Sequence, residues 1–97
     1  MANVFETLDK SNRKVHLSDE RWKHIKKKHP EIQDFDQIKE TIEKPDKVTF
    51  YSYDETIYYF YKYYKNRPAP KKYFLIVVKY LNGEGYVATA YFVGKIK

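Results

Sequence analysis

Three histidines, His16, His24 and His29, are the side chains of this 97-residue chain that titrate nearest neutral pH, so they are the first candidates for acid–base chemistry. His24 and His29 stand five residues apart. On one straight helix that spacing is a net rotation of about 140°. The two rings therefore leave the helix on different faces, and a paired-histidine metal site of the i, i+4 kind is not expected. They converge on one site only if the helix stops at His29 and its side chain turns back. The chain has no cysteine, which excludes disulfides and thiolate metal sites. No metal and no cofactor are expected. Lys79 stands alone at the end of the apolar run Leu75-Ile76-Val77-Val78, where a lysine is either an edge residue reaching for water or a buried cation with a task. Thr89 sits between Ala88 and Ala90, which leave room for a phosphate oxygen over its hydroxyl, and Tyr91 follows two residues later. His, Lys, Thr and Tyr suffice for RNA cleavage without a metal. A base takes the ribose 2′-proton, an acid protonates the leaving 5′-oxygen, and cations and hydroxyls hold the charge of the pentavalent phosphorane. His24, His29, Lys79, Thr89 and Tyr91 are the candidate catalytic set.

The charge is uneven. The chain carries 19 basic and 13 acidic residues, for a net +6. Residues 1–55 are close to balance. Residues 56–83 hold Lys62, Lys65, Arg67, Lys71, Lys72 and Lys79 with no acid. Eleven tyrosines are present, several of them inside this basic stretch. Lysines interleaved with aromatic rings suit nucleic acid, because phosphates take the cations and bases stack on the rings. A lysine-rich solvated surface accounts for the same pattern. Lys28, Lys62, Lys65, Arg67, Lys71 and Lys72 are the candidate nucleic-acid contacts.

The elements that must position these residues follow from periodicity and capping. Residues 4–8 and 14–17 flank a polar Asp/Ser/Asn linker and suggest a short hairpin. Ser18 before Asp19 and Glu20 is an N-cap followed by acids that oppose the helix dipole. Trp22, Ile25 and His29 share one helical face, and Pro30 ends that helix. A second helix begins at Asp34 or Asp36, carries Phe35, Ile38 and Ile42 on one stripe, and stops before Pro45. Residues 48–53, 56–64, 73–81 and 86–93 are rich in β-branched and aromatic residues and predict strands, with turns at 54–55, 66–70 and 82–85. The expected fold is a single α+β domain over 1–97: two N-terminal helices, after the hairpin, packed on a four- to five-stranded antiparallel sheet. A two- or four-residue loop at 82–85 puts Lys79 and Thr89 on opposite faces, whereas a bulge or a three-residue loop puts them together.

The stretch Val15-His16-Leu17-Ser18-Asp19-Glu20-Arg21-Trp22-Lys23-His24-Ile25, followed by His29-Pro30-Glu31, resembles the LT-x-E-R-W-x-H-I … HPE opening of phage- and mobile-element-associated nuclease domains. These are grouped with barnase, EndoU, colicin-type tRNases and RelE toxins as the BECR fold. Residues 38–47 resemble the second helix of that family and its Pro-Asp exit. Tyr58 to Lys62, Val77-Val78-Lys79 and Thr89-Ala90-Tyr91 resemble its later strand motifs. The resemblance implies a toxin-like, metal-independent endoribonuclease. In it His24 and His29 match the helix histidines, Thr89 and Tyr91 match the final-strand pair, and Lys79 matches a strand lysine.

Together these readings predict an enzyme that cleaves tRNA or mRNA by attack of the 2′-hydroxyl. A non-catalytic nucleic-acid-binding module using the Tyr/Lys-rich sheet face is the alternative. An acidic antitoxin or immunity protein is a further expected partner. The longest apolar stretch, residues 73–78, is too short to span a bilayer, and no signal peptide is recognisable at the first residues, so a cytoplasmic protein without membrane contact is expected.

Overall fold

A computed structural model describes residues 2–32, 34–68 and 70–96. Ala69, within the turn expected over 66–70, lies outside the described residues. The elements run β1 (Asn3–Leu8), β2 (Lys14–Ser18), α1 (Asp19–Lys28), α2 (Phe35–Glu43), β3 (Lys47–Tyr51), β4 (Asp54–Tyr63), β5 (Tyr73–Leu81) and β6 (Glu84–Val93). No helix among the described residues is long and apolar enough to cross a membrane.

The sheet corrects the expected architecture. It has six strands in the order β1-β2-β6-β5-β4-β3, and β2 lies parallel to β6. The four- to five-stranded antiparallel sheet behind two leading helices is therefore wrong. Two strands precede the helices and join the main sheet. The physical reason is that Val15 and Leu17 alternate inward and need a neighbour. The parallel pairing that supplies it spans only Val15↔Gly85 and His16↔Tyr86. So short a ladder leaves no periodic trace of its partner in the sequence.

Both helices cover one face. Ile25 of α1 and Ile38 and Ile42 of α2 pack into one cluster with Phe60, Phe74, Ile76, Val78, Ala90 and Phe92 from the sheet. At about 1.5–3 kcal/mol for each fully buried aliphatic or aromatic side chain, this cluster outweighs the marginal intrinsic stability of helices nine and ten residues long. Ser18 caps α1 by accepting from the Arg21 N–H, and Asp34 caps α2 by accepting from the Asp36 N–H. The Thr7 hydroxyl donates to Glu43 and ties α2 to β1.

The β1–β2 hairpin is held to the sheet by one buried carboxylate. Asp9 is 5% exposed. It accepts from the Ser11 and Arg13 backbone N–H groups at 2.8 and 3.0 Å, from Arg13 Nε at 3.0 Å and from the Tyr80 hydroxyl at 2.6 Å. The Arg13 guanidinium lies 4.0 Å from the Tyr80 ring centroid and 4.8 Å from that of Tyr58. Burial alone would raise the Asp9 pKa. The bonds from Tyr80, Arg13 and Ser11, with the Arg13 charge, outweigh it and hold the carboxyl below its ordinary 3.8. Burial and then the Asp9 carboxylate push the Tyr80 phenol far above its usual range. Tyr80 fits because Gly85 faces it: a Cβ there would meet the ring at 2.7 Å.

Removing the Tyr80 hydroxyl (Tyr80→Phe) leaves one side of a buried carboxylate unsatisfied and should cost about 1–3 kcal/mol in urea unfolding. Gly85→Ala should cost about as much by displacing the ring. Because the folded-state pKa of Asp9 is depressed, its contribution is complete above 3.8 and fades as pH falls through the lower folded value. The stability gap between wild type and Asp9→Asn should accordingly shrink between pH 5 and pH 2. A gap independent of pH would contradict this role.

Candidate active site

The face of the sheet away from the helices carries the chemistry. The β5–β6 turn is a two-residue loop, Asn82-Gly83, both in the left-handed region at φ 55° and 83°, the conformation that Asn-Gly hairpins favour. Such a loop alone would place Lys79 and Thr89 on opposite faces. A bulge at Ala88 changes that. Val78 pairs with Val87, but Val77 pairs with Thr89, so Ala88 is an extra residue and alternation restarts beyond it. Thr89 and Tyr91 therefore share the open face with Lys79.

Cross-strand register sets these side chains in rows. One row runs Lys47, Tyr61, Leu75, Tyr91. The next runs Thr49, Tyr59, Val77, Thr89. The third runs Ile57, Lys79, Tyr86, His16, Glu6. Thr89 lies between Tyr91 and Tyr86 along β6.

His29 joins this face from α1. Because β2 pairs with β6 only at its start, the rest of that β6 edge has no strand neighbour, and α1 packs beside β6 instead. The α1 C-cap His29 has φ −132° and ψ 70°, and its N–H donates to Ile25 O at 2.8 Å. The Ile32 N–H then donates to His29 O at 3.0 Å. These two bonds hold the residue where its ring stacks on Tyr91, with centroids 5.6 Å apart at 24°. His29 Nδ1 lies 3.7 Å from Glu31 Oε2. The side chain is 30% exposed, so solvent and a ligand can reach it.

Tyr59 sits at the middle of the rows, 6.4 Å from Tyr51 and 6.5 Å from Tyr61 by ring centroids. Burial, and then the neighbouring Tyr51, Tyr91 and Tyr61 phenols, raise its pKa above the usual value. At neutral pH it keeps its proton and can donate. The Thr49 hydroxyl beside it is buried with no hydrogen-bond partner. Lys79 Nζ lies 3.6 Å from Asp54 Oδ2. The Asp54 carboxyl is held low by the Thr56 hydroxyl and N–H at 2.6 and 2.9 Å, with Lys79 adding to the effect against a little burial. Asp54 thus anchors Lys79 over the face.

The structure brings together His29, Thr89, Tyr91 and Lys79 of the expected set. It does not bring His24 to them. His24 is exposed on the outward side of α1, as the helical angle requires. Lys62 is on the helix-packed face, where its ammonium lies 3.4 Å from Lys44 O at the α2 C-terminus and 3.7 Å from Glu40. Lys65, Arg67, Lys71 and Lys72 lie on the 64–72 connection. There Lys72 Nζ donates to Lys65 O at 2.7 Å and Arg67 Nε to Lys71 O at 3.3 Å, and the Arg67 guanidinium covers Phe92 at 3.7 Å. Lys28 is exposed in the last turn of α1. Sequence reasoning left out His16, whose ring lies 6.4 Å from that of Tyr86, and did not single out Tyr59 or Thr49. Alternation along β4 separates Tyr59 from the core residue Phe60, but nothing local says which face the helices cover. Among the described residues, no group of three or more His, Asp or Glu side chains is arranged to hold a metal.

The chain matches no protein-family model, no curated protein and no solved structure.

The stacking geometry has a direct spectroscopic consequence. The Tyr91 ring should shift the His29 imidazole protons upfield, and Tyr91→Leu should return them toward ordinary values while the His24 resonances stay in place. Proton–nitrogen NMR of the three histidines measures this, and a His29 signal indifferent to Tyr91 would contradict the placement.

Proposed function

We propose that this protein is a metal-independent endoribonuclease whose active site is the open sheet face between His29 and Lys79. The observation that supports it best is the joint position of one imidazole, two phenols, one threonine hydroxyl and one ammonium on an accessible surface, all reached without a metal. His29 takes the proton of the ribose 2′-hydroxyl, and the oxygen attacks phosphorus. Thr89 donates to a non-bridging oxygen, and the Lys79 ammonium offsets the growing negative charge. The protonated phenols of Tyr91 and Tyr59 give a proton to the leaving 5′-oxygen as the phosphorus–oxygen bond breaks. The products are a 2′,3′-cyclic phosphate and a free 5′-hydroxyl. The toxin-like character that the motif resemblance implies, and an acidic inhibitor covering the cationic surface, belong to the same reading.

A second reading has its own observation. Tyr53 is 87% exposed and makes an edge contact with Tyr51, which in turn touches Tyr59. A ladder of rings leading onto the open face could stack unpaired bases without any cleavage.

Total RNA incubated with the pure protein in EDTA separates the two. The ribonuclease reading expects cleavage with 2′,3′-cyclic or 3′-phosphate ends. His29→Ala should slow it by about 10²–10⁴-fold, the usual contribution of a general base, and His24→Ala should affect it far less. Intact RNA bound with the same affinity by wild type and His29→Ala would favour the binding module, and cleavage that requires Mg²⁺ would overturn the mechanism.

A further inference from the structure

The cationic side chains with nothing to do are on α1. In the basic segment that the charge distribution singles out, Lys62, Arg67 and Lys72 are engaged with backbone carbonyls and Lys79 with Asp54. Among the described residues, the side chains of Arg21, Lys27 and Lys28 make no ion pair and no hydrogen bond. Lys23 has only Asp19, at 3.3 Å, in a pair whose side chains are 75% and 49% exposed. A solvated pair of that kind contributes little and exchanges readily for another anion.

These side chains are not scattered. Ser18, Glu20, Arg21, Lys23, His24 and Lys27 line a cleft of about 640 Å³ on the outward side of α1. Three permanent cations face one carboxylate there, and the His24 ring adds an N–H donor. An arginine fork presents paired donors that match a phosphate, and lysines flank it as point charges. The cleft also has a defined relation to the open face. His24 and His29 are on one helix, about 7.5 Å apart along its axis. An RNA strand with its scissile phosphate at His29 would carry a neighbouring stretch of backbone along α1.

We infer that the α1 cleft is a second phosphate-binding site, holding the RNA backbone away from the cleaved bond, with Arg21, Lys23, Lys27 and His24 as its contacts. This gives His24 a binding role in place of a catalytic one. The inference rests on RNA being the substrate, but not on the chemistry of the open face.

The test uses a fluorescent 2′-O-methyl RNA oligonucleotide of about a dozen nucleotides, which this mechanism cannot cleave, with anisotropy read across a salt series. Arg21→Gln with Lys27→Gln should weaken binding and lower the slope of log K against log salt by about 2, one unit for each lost phosphate contact. Both residues are exposed, so the melting temperature should not change, and cleavage of a dinucleotide too short to reach the cleft should stay at the wild-type rate. An unchanged affinity and slope would overturn the inference. So would binding of poly-glutamate that depends on Arg21 and Lys27 when RNA binding does not, because that outcome marks an acidic protein surface as the occupant. An oligonucleotide that binds through the cleft while total RNA stays intact would uphold the cleft and remove the ribonuclease reading, so the two fail separately.

Discussion

In an uninterrupted β6, Val87, Thr89 and Tyr91 would all face the same side. Val87 packs into the core, so Thr89 and Tyr91 would be buried with it, and the open face would lose both. Ala88 prevents this by doubling the residues opposite one position of β5. The core then keeps Val87, Ala90 and Phe92, while Thr89 and Tyr91 emerge beside Lys79 and Tyr59. Everything proposed for this face depends on that one inserted residue. Without the bulge, His29 would have no ring to stack on, and Lys79 would have no hydroxyl nearby.

A second constraint supports the first. α1 reaches the edge of β6 only because β2 delivers it there, and β2 is held in place by the parallel step next to Gly85 and by the Asp9–Arg13–Tyr80 anchor across the sheet. A buried carboxylate is costly to desolvate and is tolerated because four donors satisfy it. The missing Cβ at Gly85 leaves space for Tyr80, and the residue is also the first one paired with β2. Stability and site geometry meet at this corner of the fold.

Much of the local structure was legible in the sequence. Ser18, the Trp22/Ile25/His29 stripe and Pro30 carry the start, face and end of α1, and Asn82-Gly83 carries the hairpin. What escaped was every long-range choice. Ala88 has the chemistry of an ordinary strand residue, so nothing marks it as a bulge. Val15 and Leu17 announce burial but not a parallel neighbour, hence the wrong sheet. The charge of residues 56–83 looks available in one dimension, yet several of its cations turn back to carbonyls that only the folded chain presents. The balanced charge of α1 hides the opposite situation: Asp19 and Glu20 cancel lysines on paper, while the outward surface of the helix stays cationic.

The central claim is that one compact group of residues on the open face recognises a ribose phosphate. Titration of the labelled protein with a 3′-nucleoside monophosphate, followed by amide and side-chain NMR shifts, tests it most directly. The account predicts perturbations concentrated at His29, Thr89, Tyr91, Tyr59 and Lys79, with the helix-packed core unmoved. Shifts confined to other surfaces, or no saturable response while His29 and Tyr91 remain stacked, would contradict it.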